Sequence, residues 1–110
     1  MNEDKELLTL AAKAAGIEGY WFENEYWNGI VGSHINGADT PWNPLLDDAD
    51  ALRLAVKLKM TIDVRLWDDE VQVRAYHEPS MYHISEKGDP CDATRRTIVR
   101  AAAEIGRRME

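Results

Sequence analysis

Cysteine is nearly absent, with Cys91 alone in 110 residues. No intrachain disulfide can form, so a disulfide-framed secreted fold is excluded and a reducing cytoplasm is the expected setting. Long apolar runs are missing as well. No segment approaches the length that spans a bilayer, and the amino end, MNEDKELLTLAAKAAG, puts acids before its apolar residues instead of a basic run before an apolar core. A soluble chain without membrane contact is expected.

Motifs that carry chemistry are equally scarce. Gly16, Gly19, Gly29, Gly32 and Gly37 fall outside any phosphate-cradling spacing, and neither a nucleophile elbow nor a pair of catalytic carboxylates can be identified. His34, His77, His83 and Cys91 follow one another at intervals of 43, 6 and 8 residues, none of which makes a compact zinc-ligand pair. His77 instead continues the apolar phase of a strand. Cys91 falls at a helix start, where the dipole favours a thiolate but no histidine partner is visible, and where a small residue also simply fits. No catalytic residue, metal ligand or cofactor is assigned, and an enzyme is not expected.

Basic residues are short in the front half only. Residues 1–50 hold ten acids and two bases, whereas residues 51–110 hold ten acids and eleven bases, within a net charge of −7. A front half of that sign repels nucleic acid and attracts basic partners, although the same charge also serves plain solubility. The length suits one domain, residues 1–110, with a core large enough to need no staple.

What the sequence does contain is periodicity. Leu7, Leu10, Ala11 and Ala14 recur at helical spacing between Glu3 and Ala15, with Asn2 available as N-cap, Gly16 at the left-handed stop position and Ile17 behind it to pack on the last turn. EGYWFENEYWNGIV, residues 18–31, reads as one or two short strands broken at Glu23 to Glu25 and at Asn28-Gly29. The next ten residues, GSHINGADTP, read as a loop. Pro44 then bars a helix from starting earlier, Asp47 or Asp48 supplies the cap, and Asp50 adds charge to the first turn. Leu45, Ala49, Leu52, Ala55 and Val56 form the expected apolar face of this second helix. Trp42 has no local explanation: either it is a ligand-loop residue, or it packs over the first turn of the helix as a lid on the core.

Met60, Ile62, Val64 and Leu66 alternate with Thr61, Asp63, Arg65 and Trp67, and Val71, Val73 and Ala75 with Gln72, Arg74 and Tyr76. With Asp68-Asp69 between them, the two runs read as a hairpin with one apolar face. PSMYHISEKG follows as a loop. Asp89 then caps a last helix, with Pro90 at its first position, Asp92 at its third, and an apolar stripe of Thr94, Ile98, Ala101, Ala102 and Ile105.

Two features suit a partner. Tyr20, Trp21, Phe22, Tyr26 and Trp27 crowd into eight positions with Trp42 following, either as core volume or as a contact patch of the kind enriched in hot spots. The last helix carries Arg95, Arg96, Arg100, Arg107 and Arg108, of which Arg96, Arg100 and Arg107 share roughly one face interrupted by Glu104. The partner-binding candidates are therefore Trp21, Trp27, Trp42, Arg96 and Arg100.

The blocks WNPLLDDADALRLAVKL and DATRRTIVRAAAEIG, preceded by LLTLAAKAAGIEG, resemble a group of small phage and prophage proteins described as the phage α-β-α sandwich domain, whose function is not established. The likeness covers most of the chain and is weaker in the aromatic segment and around His34 and Ser80. Trp42, Asn43, Pro44, Leu52, Ala55, Val56, Thr94, Arg95, Arg96 and Ile98 match the pattern, and the family supplies no catalytic role for them. The resemblance, with the lack of site motifs, implies an accessory protein in the cytoplasm of a bacterial host that acts by contact with a host or phage protein. The alternative is nucleic-acid binding through the basic last helix. A three-layer sandwich asks for apolar side chains on both sheet faces, whereas Met60 to Trp67 alternates like a strand covered on one. The expected fold is α+β, with three helices packed on a small antiparallel sheet of about three to four strands in two or three layers. How the helices divide between faces stays open.

Overall fold

The computed structural model describes residues 2–26, 28–32, 41–67, 70–77, 80–87 and 89–109, with the backbone alone at 2, 66–67, 70–71, 74–77 and 80–87. Helix α1 spans Asn2–Ala15. It ends as the sequence suggests: Gly16 takes φ +72°, its N–H reaches the Lys13 carbonyl at 3.2 Å, and the Ile17 N–H reaches the Ala12 carbonyl at 2.9 Å. These two bonds satisfy carbonyls that a helix end would leave bare, and Ile17 folds back onto the core. The buried face of α1 is Leu7, Leu8, Ala11, Ala12 and Ala15, one position round from the expected stripe, with Leu10 and Ala14 half-buried at its edge.

Strands β1, Tyr20–Glu23, and β2, Asn28–Val31, pair antiparallel, with Trp21 opposite Ile30. Asn28-Gly29, expected as a turn, lies within β2. Gly29 is needed there because the chain at Pro41 and Trp42 passes close: a Cβ would sit 2.6 Å from the Trp42 carbonyl oxygen, and the backbone takes φ +151°. The expected loop over 32–41 falls mostly on residues outside the described ones, as do Trp27, His34 and the Asp68-Asp69 turn.

Helix α2 spans Asp48–Lys57 with Asp47 as its cap. Strands β3, Thr61–Trp67, β4, Glu70–His77, and β5, Ser80–Lys87, form a second antiparallel sheet in the order β3-β4-β5. The expected hairpin is its first two strands, in a register that sets Ile62 against Ala75 and Val64 against Val73. The segment expected as a loop after it is β5, which places Ile84 opposite Val73 and Tyr82 opposite Ala75. Only two apolar positions alternate in β5, too few to stand out without the neighbouring strand. Helix α3 spans Pro90–Arg108.

Helix α3 is the centre of the α+β globule. Thr97, Ile98, Val99, Ala101, Ala102 and Ala103 are all buried. Burial this wide, leaving only the side of Arg96, Arg100 and Arg107 towards solvent, exceeds the single stripe expected and marks a helix covered from opposite directions. α1 packs on α3, α2 packs beside it, and the three-stranded sheet lies against it. Small residues allow the close helix crossing: a Cβ at Gly106 would lie 2.0 Å from the Leu10 carbonyl oxygen. Glycine in a helix costs about 1 kcal/mol against alanine, which the approach of the two backbones explains. On the sheet side Val73 and Ala93 pack together with Ile62. On the opposite sheet face the described side chains are polar, with Asp63 and Arg65 paired at 3.3 Å. The alternation read in Met60 to Trp67 thus corresponds to one face on α3 and one polar face.

Candidate functional site

The turn into α2 is an anchored junction. Trp42 is 3% exposed, and its backbone exchanges two hydrogen bonds with Ile30, at 2.7 and 2.9 Å, so it extends the β1-β2 sheet by one bridge. Its indole joins the same buried cluster as Leu45, Ala51 and Leu54. Asn43 beside it is buried and fully used. Its side-chain Nδ2 donates to the Asn28 carbonyl at 3.0 Å and to Asn28 Oδ1 at 2.9 Å, while its Oδ1 accepts from the Leu45 N–H at 3.0 Å. The Asn43 N–H donates to Asp50 Oδ2 at 2.9 Å. Asp50 is 1% exposed, and its Oδ1 accepts from Arg53 at 2.9 Å. The helix dipole alone therefore does not account for Asp50; its carboxylate ties the helix to the strand-like entry before it. Asp47 does act as the cap, accepting from the Ala49 and Asp50 N–H groups.

Because Asp50 faces inward, α2 buries Asp50, Ala51, Leu54 and Ala55. Of the expected face, Leu45 and Ala55 are buried, whereas Ala49, Leu52 and Val56 point outward. Leu52 is 64% exposed and Val56 68%. A charged residue at the centre of the true face disguised its phase.

Beside this outward face lies a groove of about 380 Å³. Ala51, Leu52 and Ala55 of α2 form one wall, Ile62 and Val64 of the edge strand β3 another, and Pro90, Cys91, Thr94 and Ile98 of α3 the third. Val64 is 44% exposed although its strand partner Val73 is buried. Cys91 is a free, exposed thiol. One end of the groove is charged. Arg95 donates from Nε to the Leu45 carbonyl at 2.9 Å and from its terminal nitrogens to Asp48 and, at 3.4 Å, Asp92. Burial works against this guanidinium, but the hydrogen bond and charge of Asp48, with Asp92 and Asp89 nearby, outweigh it and raise its pKa above the ordinary arginine value. Arg95 thereby pins the starts of α2 and α3 to each other.

None of the five residues singled out in the sequence lines this groove. Trp42 is inside the core. Trp21 is half-buried on β1, with Nε1 donating to Glu23 at 3.2 Å, and Trp27 lies outside the described residues. Beside Trp21, Tyr20 is 65% exposed and Tyr26 83%, so the hairpin turns part of its aromatic content outward. Arg96 is half-buried and reaches Asp4 of α1 at 3.6 Å, Arg100 is half-buried, and Arg107 pairs with Glu104. The cations of α3 are thus largely matched within the chain. The groove residues Leu52 and Val64, and the exposed Val56 one turn along α2 from Leu52, escape a sequence reading because helical and strand alternation assigns them to the core. No family model, curated protein or solved structure matches the chain.

Proposed function

We propose that the protein is an accessory protein of a phage or prophage that works by holding another protein against the groove between α2, β3 and the start of α3. The observation that carries this reading is the exposure of Leu52, Val56 and Val64 at or beside one apolar depression. Exposed apolar residues scattered singly are ordinary, whereas several gathered at a concavity are what protein-docking surfaces use. Aliphatic walls with one ion-paired arginine offer adhesion rather than acid–base chemistry. The likeness of the Trp42 to Leu58 and Asp92 to Gly106 blocks to the phage α-β-α sandwich domain supplies the context of a bacterial cytoplasm. The pairing of Arg95, Arg96 and Arg107 with carboxylates argues against the alternative, a phosphate grip by α3.

Capture from lysate of an infected or lysogenic bacterium tests the proposal. A protein retained by the wild-type chain should be lost by about tenfold with Leu52→Gln/Val56→Gln, since those side chains supply apolar contact area. Equal retention by both chains removes the groove from the account.

A further inference from the structure

We infer that the groove takes an apolar segment of a partner protein that brings a lysine or arginine to the end where α2 and α3 both begin. The inference rests on the docking reading above and adds the chemistry of the partner. Apolar walls fix the first part of that description. Charge fixes the second.

At that end Asp48 and Asp92, with side chains 73% and 53% exposed, share the single guanidinium of Arg95, which is 17% exposed and already committed to the Leu45 carbonyl. The capping carboxylates of Asp47 and Asp89 stand beside them. Each helix start returns only about half a positive charge, so the end stays negative by about two charges. The chain as a whole has the same sign, with a net charge of −7. An acidic partner segment would meet like charge across a partly desolvated contact, which is strongly unfavourable, whereas a cation steers association and fixes the direction in which the segment lies.

A library of random peptides of about 12 residues, long enough for a helix or strand to lie in a groove, is selected on the full-length wild-type chain and counter-selected on Leu52→Gln/Val56→Gln. Enriched peptides should join two or more large apolar residues to a lysine or arginine. They should also slow alkylation of Cys91 by iodoacetamide about fivefold or more, because a seated segment covers the thiol on the groove wall. Asp48→Asn and Asp92→Asn, each confirmed folded by circular dichroism, should weaken the selected peptides about threefold, the scale of a half-exposed ion pair. Enriched apolar peptides lacking a cation overturn the inference and leave the docking reading standing. Enriched peptides that leave Cys91 alkylation unchanged bind elsewhere and overturn it too. No enrichment over the counter-selected variant overturns both. Cys91 protection that rises with protein concentration alone places a second copy of the chain in the groove and overturns the inference.

Discussion

The starts of α2 and α3 use the same device and differ in what stands behind it. At α3, Asp89 accepts from the Asp92 N–H at 3.0 Å, Pro90 occupies the first turn, and the neighbouring residues Pro90, Cys91 and Asp92 are exposed. The Asp89 cap itself involves only these consecutive residues, and Arg95 one turn on makes the link to α2. At α2, Asp47 caps in the same way, but Trp42, Asn43, Pro44, Leu45 and Asp50 around it are buried, and Trp42 and Asn43 are hydrogen-bonded to β2. A cap that only ends a helix can be exchanged at small cost. A cap that also joins two parts of the fold holds stability out of proportion to its length.

Substitutions at the two starts should therefore separate widely. The largest loss is expected for Trp42→Ala, about 3 kcal/mol or more, the scale for emptying a buried tryptophan site. Denaturant unfolding measures it, together with neutral quenching of indole fluorescence, which should rise little from Trp42 in the wild-type chain. Strong quenching with near-normal stability would assign Trp42 to a ligand loop and erase the distinction between the two junctions. Next comes Asp50→Ala, at about 2 kcal/mol, because it strands the buried Asn43 N–H without its acceptor. Asp50→Asn keeps an acceptor oxygen and should lose less; equal losses would mean that the hydrogen bond is not the cause.

The same contrast explains what the sequence made legible. The helices, the Asp47 and Asp89 caps, the Gly16 stop and the β3-β4 hairpin follow from periodicity and short-range preferences, whereas Asn2, expected as a cap, is already the first residue of α1. Strand β5 was missed because its pairing with β4 defines it more than its own pattern does. Gly29 reads as a turn residue until the chain at Trp42 is known to press against it. The face of α2 was misjudged for a related reason. Asp50 is inside with the Asn43 N–H and Arg53 as partners, and a buried acid inverts the usual meaning of charge in a helical pattern. The groove is illegible for the same cause, since the helical pattern assigns its wall residue Leu52 to the core.

At the local junction, Asp89→Ala should cost about 1 kcal/mol, the usual worth of a capping side chain. Thermal unfolding checks it, and an unchanged midpoint would shift the effective start of α3 towards Asp92. Its loss should stay well below that of Asp50→Ala; a reversal of the two would contradict the comparison.

Leu52 and Val56 face outward and should do little for the fold, and the thermal unfolding midpoint of Leu52→Gln/Val56→Gln tests this most directly. Glutamine keeps the helix and removes the apolar surface, so the midpoint should fall by less than about 4 °C, on a scale where 1 kcal/mol corresponds to about 4–8 °C in a domain near this size. A fall of about 12 °C or more, matching the loss expected for Trp42→Ala, would place both side chains in the core and leave the groove without a docking face.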